Sequence, residues 1–200
     1  VEDRAGRWRR GHVEGEVLAY PASCVKLGFL VGAVHWCAAQ GQAPDCLDAY
    51  TRPMIEVSDN VATGFVVDAI TGAPDGPVEG ADVDAWIEQR RYTEHVLDAA
   101  GLLGPQRLFT KTYPTNSGEE PAQLEKLAWQ RLGRNAMNAD GAARLMLAIQ
   151  SGAIEPQATA YMRSLLRRPT FSGYSALGGG LPPGSLHENK IGSAFDTLED

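Results

Sequence analysis

One apolar segment, residues 22–39, limits what this chain can fold into more than any other feature. Its only charged side chain is Lys26, close to the start of the segment. A helix that is apolar on nearly every face must be covered by protein on most sides. Because the segment is short for a membrane span and contains a lysine, it predicts a buried core helix.

The position of Lys26 also suggests chemistry. Ser23 precedes it by three residues, which places both side chains on one face of a helix. Burial of an ammonium group costs hydration energy and lowers its pKa. A neutral amine beside a hydroxyl is a general base beside a nucleophile, and a helix N-terminus favours the negative charge that develops there. The alternative is a lysine whose ammonium group reaches solvent at the end of a buried stem.

Two further strings contain polar residues of the same kind. Residues 58–60 are Ser-Asp-Asn, before a predicted helix, where such residues commonly act as N-caps. Residues 190–193 are Lys-Ile-Gly-Ser, on a predicted strand that follows a glycine-rich loop at 178–184. Taken alone, each string has an ordinary structural explanation, a helix cap in the first case and a solvated strand lysine in the second.

Composition limits the partners of the chain. It has 200 residues, of which 44% are hydrophobic, as in one soluble globular domain. The net charge of −7 argues against a nucleic-acid-binding surface. No pair of histidines or cysteines has metal-ligand spacing, so no metal or organic cofactor is predicted. Cys37 and Cys46 flank a polar loop and are either bridged or free thiols, and residues 1–4 do not begin a signal peptide.

The order of predicted elements indicates an α+β fold in a single domain, residues 1–200. Weak alternation predicts strands within residues 1–20, and residues 186–195 predict a last strand. Between these strands, apolar periodicity and capping residues predict helices at 22–39, 61–72, 83–101, 122–132, 139–151 and 156–168. A helical lobe, residues 21–184, is therefore expected to be inserted in an antiparallel sheet formed by residues 1–20 and 185–200.

Together the three strings resemble the motifs of the penicillin-recognising serine hydrolases, the superfamily of class A β-lactamases and D,D-peptidases. Residues 21–26 resemble the nucleophile motif, including the proline and the small residue before the serine. Residues 58–60 resemble the second motif, on a loop of the helical lobe, and residues 190–192 resemble the third, on the strand that lines the cleft. Residues 138–151 resemble the helix after the omega loop. The resemblance implies a β-lactamase/transpeptidase-like fold.

The resemblance also implies roles for the motif residues. Ser23 attacks a carbonyl carbon to form an acyl-enzyme, and Lys26 takes its proton. Ser58 relays a proton to the leaving nitrogen and is steadied by Lys190. Asn60 forms a hydrogen bond with Lys26 or with the substrate amide.

Substrate binding is implied for the strand motif. Backbone N–H groups of Ser23 and Ser193 form the oxyanion hole, Gly192 lines the cleft, and Lys190 attracts a substrate carboxylate. Ile191 departs from the family pattern, which has threonine or serine at this position. The departure removes a hydroxyl that helps to bind the carboxylate, and the Ser193 side chain is expected on the other face of the strand.

A deacylating base is harder to place by resemblance. Glu120, followed by proline, is the best candidate for the glutamate of the omega loop, and Glu119 and Glu125 are alternatives. No asparagine follows Glu120 at the position that the family pattern has. Without such a base, water would deacylate the enzyme slowly, and the protein would behave like a transpeptidase.

The resemblance thus predicts hydrolysis of a β-lactam, with a D,D-peptidase or esterase on the same scaffold as one alternative. A non-catalytic relative that binds peptidoglycan-like peptides is the other. The expected partner is a small-molecule or peptide substrate, and the implied location is outside the cytoplasm, periplasmic or secreted. The sheet of this family continues past its third motif, so flanking segments or a complementing chain are expected to complete it.

Overall fold

A computed structural model describes residues 11–110, 123–168, 181–182 and 184–193. The described residues form a mostly helical body with a small antiparallel sheet. The helices are α1 (Lys26–Ala39), α2 (Asp48–Glu56), α3 (Asn60–Thr71), α4 (Val83–Arg90), α5 (Tyr92–Ala99), α6 (Gln123–Leu132), α7 (Ala139–Ser151) and α8 (Thr159–Leu166). Single 3₁₀ turns, Ala22–Val25 and Pro156–Ala158, precede α1 and α8, and the strands are β1 (Arg167–Arg168) and β2 (His187–Glu188).

Helix α1 lies at the centre of the fold. Every residue from Leu27 to Val34 is buried, and α2, α3, α5 and α7 pack around the helix. Gly32 allows α5 to approach closely, because a Cβ atom there would lie 2.7 Å from Thr93 Oγ1. The stretch Ala22–Ala39 is long and apolar enough to cross a membrane, yet most of it is buried inside the protein. The prediction of a core helix is therefore confirmed.

Local capping signals place several helix ends where the sequence predicts them. The side chains of Asp82 and Asn138 accept hydrogen bonds from Ala85 N at 3.0 Å and Gly141 N at 2.7 Å, at the starts of α4 and α7. Gly152 ends α7 with a φ of +70°, a conformation that glycine adopts without a steric penalty.

Other boundaries differ from the prediction. The helix expected at 83–101 is divided into α4 and α5, which meet at Arg91. Helix α2 was not predicted, since it is short and contains Pro53. It is held by Tyr161 of α8, whose hydroxyl lies 2.6 Å from Thr51 Oγ1 and donates to Asp48 Oδ1 at 2.8 Å.

The sheet is smaller than expected in the described residues. Strands β1 and β2 pair antiparallel, with Arg167 opposite Glu188 and Arg168 opposite His187. Strand β1 was not predicted, and it falls inside the range assigned to the helical lobe. Of the strands expected in residues 1–20, positions 1–10 lie outside the described residues, and Ala19 forms an isolated bridge with Met137. The described part therefore has a mixed helical architecture with one strand pair.

A disulfide joins the C-terminal turn of α1 to the loop before α2. Cys37 and Cys46 are bonded, with their Cα atoms 6.1 Å apart. The structure thus selects the bridged alternative for these two residues.

Candidate active site

Ser23 lies in the 3₁₀ turn immediately before α1. Ala22, the preceding residue, has a φ of +45°, a left-handed conformation that non-glycine residues rarely adopt. Such strained positions persist where the surrounding structure fixes them, and they cluster at functional sites. The turn holds Ser23 half-buried at the N-terminal end of the core helix.

Lys26, the first residue of α1, is completely buried. Its Nζ atom donates hydrogen bonds to Ser58 O at 2.6 Å, to Asn60 Oδ1 at 2.8 Å and to Ser58 Oγ at 3.2 Å. Three acceptors match the three N–H groups of an ammonium. Within the described residues, no hydrogen bond joins Lys26 to Ser23, so the amine bonds with the second motif rather than with the first.

Burial shifts the proton equilibrium of Lys26. Loss of hydration lowers its pKa to about 7, the positive charge of Lys190 acts in the same direction, and Asp59 opposes both. The neutral amine and the ammonium group therefore coexist near neutral pH. A lysine in this state can both accept and return a proton.

Ser58 lies in the short loop between α2 and α3, with a φ of +63°. The next residue, Asp59, caps α3 by accepting a hydrogen bond from Ala62 N at 2.9 Å, and Asp59 N donates to Pro53 O at 3.0 Å. These bonds fix the loop to both helices. As a result the Ser58 hydroxyl is held between two lysines, 3.2 Å from Lys26 Nζ and 2.9 Å from Lys190 Nζ.

Lys190 approaches Ser58 from residues 189–193, which follow β2; of the strand predicted at 186–195, only His187–Glu188 is a strand in the described residues, so the third motif lies beyond the strand rather than on it. Lys190 is 9% exposed, and its Nζ atom also donates to the carbonyl oxygen of Ile191 at 2.8 Å. Burial lowers the pKa of Lys190 to about 8; Cys24 raises it, and the charge of Arg168 lowers it. The second and third motifs therefore meet at one hydroxyl group.

Gly192 brings residues 189–193 against the turn that carries Ser23. A Cβ atom at Gly192 would lie 2.7 Å from Pro21 O and 3.1 Å from Cys24 N, so only glycine fits without movement. Cys24 adds a contact from its Sγ atom to Lys190 O at 3.6 Å. All three motifs are thus brought together, with the first and third in backbone contact and the second bonded to both lysines.

Comparison with known proteins identifies the family. The sequence model of the β-lactamase enzyme family matches residues 39–200. The chain belongs to this family. The chain is also similar to Golvesin from Dictyostelium discoideum, with 31% identity over 202 residues that cover 100% of this chain and 35% of the relative. The chain thus spans about a third of that relative's length, and no solved structure matches significantly.

Family membership confirms the resemblance to the penicillin-recognising serine hydrolases. The match to the family model covers the strings at 58–60 and 190–193, and the string at 21–26 lies before it. The alignment with Golvesin extends over the whole chain and so includes all three strings.

The glutamate candidates have different outcomes. Glu120 and Glu119 lie outside the described residues. Glu125 is buried in α6, where its carboxylate contacts the guanidinium group of Arg90. Arg90 also donates to Asp68 Oδ1 at 2.9 Å. This ion pair accounts for the burial of Glu125 without a catalytic role.

Some residues at the site carry no sequence signal. Cys24 looks like one more apolar residue of the core segment, and Arg168 like a charge after a helix. Their proximity to Lys190 depends on the pairing of β1 with β2 and on the close approach of Gly192, which periodicity does not encode. Among the described residues, no group of three or more His, Cys, Asp or Glu side chains could hold a metal ion.

Proposed function

We propose that this chain is a serine hydrolase that opens a β-lactam or a related amide through an acyl-enzyme on Ser23. The observation that carries the proposal is the Ser58 hydroxyl, held by hydrogen bonds from the buried amines of Lys26 and Lys190. Two lysines with lowered pKa values at one hydroxyl form a path for protons, and such shifts cluster at active sites. Membership of the β-lactamase enzyme family supports the same reaction class.

In the first step, the Ser23 oxygen bonds to the carbonyl carbon while its proton passes to the neutral amine of Lys26. The carbon–nitrogen bond then breaks, and the proton moves from Lys26 through the Ser58 hydroxyl to the leaving nitrogen. The hydrogen bond between Lys26 and Ser58 supports this order of transfer. Backbone N–H groups of Ser23 and Ser193 would stabilise the oxyanion.

In the second step, water releases the acyl group, with Glu120 as the proposed base. A D,D-peptidase or esterase is the second candidate, favoured by Ile191, a residue that is 45% exposed and stands beside Lys190 in place of a hydroxyl residue. A slow second step would leave a long-lived acyl-enzyme, whereas a lactamase would release its product quickly.

Intact mass spectrometry after exposure to a penicillin tests the proposal. We expect a mass increase equal to the antibiotic, absent in Ser23→Ala and present in the control Ser164→Ala, which removes an exposed serine of α8. Rapid loss of the adduct would indicate a lactamase, and a stable adduct a peptidase or esterase. If the folded wild-type protein gives no adduct and leaves the penicillin unhydrolysed, the proposal is overturned and a non-catalytic peptide-binding relative is favoured.

We also propose that the substrate is a small molecule or a peptidoglycan-like peptide met outside the cytoplasm. The Cys37–Cys46 disulfide supports an oxidising compartment, where such bonds persist. Reduced Cys37 and Cys46 in protein taken directly from its natural source would contradict this location.

A further inference from the structure

Arg168 of β1 joins two elements that are distant in sequence. Its Nη2 atom donates to Ile55 O at 2.8 Å, and its Nη1 atom donates to Leu165 O at 2.8 Å. Ile55 belongs to the last turn of α2, where carbonyl groups have no partner within the helix. One half-buried guanidinium group therefore ties the end of α2 to the end of α8.

The α2 end of this link leads directly to Ser58. The N–H groups of Val57 and Asp59, on either side of Ser58, both donate to Pro53 O, at 3.3 and 3.0 Å. The Ser58 loop is thus folded back on the same turn of α2 that Arg168 holds through Ile55. Movement of this turn would carry the Ser58 hydroxyl with it.

The other end of the link leads to Lys190. Arg168 is paired in register with His187 of β2, and Asn189 N donates to Leu166 O at 3.0 Å, so pairing continues up to the residue before Lys190. Arg168 thus links the end of α2, which leads to Ser58, to the strand pair that leads to Lys190, and these two residues are the partners of the 2.9 Å hydrogen bond from Lys190 Nζ to Ser58 Oγ.

We propose that Arg168 is a positioning residue, which holds Ser58 within hydrogen-bond distance of Lys190 and places a permanent positive charge beside that lysine. Its relevance to catalysis rests on the proposed function, in which Ser58 and Lys190 take part in acylation. The geometry of the link stands independently of that reaction.

The charges around Lys190 give the proposal a second consequence. Burial is the largest cause of its lowered pKa; Arg168 lowers this pKa further, and Cys24, on the turn before α1, raises it. Lys26 of α1 is a second cation at the same hydroxyl, and Asp59 is the acid of the second motif. Burial lowers the pKa of Arg168 itself, and the charge of Glu56 of α2 opposes this shift. Since an arginine stays protonated at any working pH, its removal should raise the pKa of Lys190.

The test compares three variants by the rate of penicillin labelling as a function of pH. We expect Arg168→Gln to lower the labelling rate about ten- to hundredfold, because Ser58 and Lys190 lose their alignment. We also expect the alkaline limb of the profile, where the rate falls as Lys190 loses its proton, to move to higher pH. Arg168→Lys keeps the positive charge but cannot donate to both Ile55 O and Leu165 O, so the labelling rate should fall while the alkaline limb stays at the same pH. Arg167→Gln, at the exposed neighbouring arginine, is the matched control and should change neither.

A shifted limb distinguishes this role from a general loss of stability, which would lower the rate at every pH alike. If Arg168→Gln and Arg167→Gln give the same rate and the same limb, the proposal is wrong. If Arg168→Gln does not fold, the rate and limb of Arg168→Lys decide, and an unchanged rate there overturns the role.

Failure of the proposed function would be recognised separately. If the wild-type protein is not labelled, the lysines are methylated with ¹³C-formaldehyde, and the Lys190 signal, assigned by its loss in Lys190→Arg, is titrated by NMR. An upward pKa shift in Arg168→Gln, absent in Arg167→Gln, supports the placement of Arg168 even then. No shift overturns it.

Discussion

At the residue scale, two lysines beside one hydroxyl make the site sensitive to pH. Lys26 must be neutral to accept a proton, so the acylation rate should rise as pH passes its pKa of about 7. Lys190 acts as a cation, so the rate should fall as pH passes its pKa of about 8. We therefore predict a narrow maximum between these two values, measured as the second-order rate constant of penicillin labelling.

Lys126→Gln, at an exposed lysine of α6, is the control for this profile and should leave both limbs in place. Lys26→Ala should abolish acylation at every pH, since it removes the proton acceptor. A rate that stays constant from about pH 6 to about pH 9 would show that neither amine is involved in this way.

The backbone of Ser58 allows strain and chemistry to be measured separately. Its φ of +63° disfavours alanine by about 1–2 kcal/mol relative to glycine. Ser58→Gly should therefore unfold with a higher free energy than Ser58→Ala in chemical denaturation. Both variants lack the hydroxyl, so both should acylate at least about a hundredfold more slowly than wild type. If one of them retained wild-type labelling, the hydroxyl of Ser58 would have no part in proton transfer.

The burial of Lys26 could be predicted from the sequence, but its hydrogen-bond partners could not be derived from local patterns. The apolar segment around Lys26 predicts burial, because a helix that is apolar on nearly every face is covered by protein, and its single charged residue is covered with it. Its hydrogen bonds to Ser58 and Asn60 follow instead from a strained turn between two helices. Such a turn is set by tertiary packing, so no local pattern predicts these contacts; only the family resemblance implied the bond between Lys26 and Asn60.

At the element scale, the approach of the third motif to the Ser23 turn depends on Gly192. Gly192→Ala would place a methyl group 2.7 Å from Pro21 O, so the segment that carries Gly192 or the Ser23 turn must move. We expect acylation to fall at least about tenfold, because displacement of about 1 Å misaligns reacting groups. Thermal unfolding measures the effect of the displacement on stability, and penicillin labelling measures its effect on the acylation rate. Gly76→Ala, at a position with open space around it, is the control. Unchanged labelling in Gly192→Ala would mean that this contact does not align the site.

Some elements are set by interactions between neighbouring residues, and others by contacts between residues that are distant in sequence. Helices α4 and α7 start at side-chain caps and α7 ends at Gly152, so both starts and the end of α7 were readable in a few neighbouring residues, whereas the end of α4 was not. Helix α2 depends on Tyr161 of α8, which lies far away in sequence. Strand β1 has two residues, too few for an alternating pattern to reveal it, whereas β2 lies inside the strand predicted at 186–195 but is limited to two residues.

At the scale of the whole molecule, the disulfide connects helix α1, which supplies the amine, to the segment that enters α2, the helix that leads to the Ser58 loop. Cys37 lies near the end of α1, which begins at Lys26, and Cys46 lies just before α2, which leads to Ser58. The bond closes a loop with a sequence separation of 9 residues, so it limits the freedom of the unfolded chain. It also restricts how α1 and α2 can separate in the folded protein.

Reduction of this bond should therefore destabilise the protein by about 2–3 kcal/mol, which lowers the melting temperature by roughly 5–10 °C for a chain of this size. The measurement is a thermal melt with and without dithiothreitol. The double variant Cys37→Ser, Cys46→Ser is the control: it keeps the free Cys24, should melt low from the start and should not respond to the reductant. Labelling of Ser23 below the melting temperature should persist, since α1 and α2 also pack against each other directly. Equal melting temperatures with and without reductant would show that the loop is held by its other contacts alone.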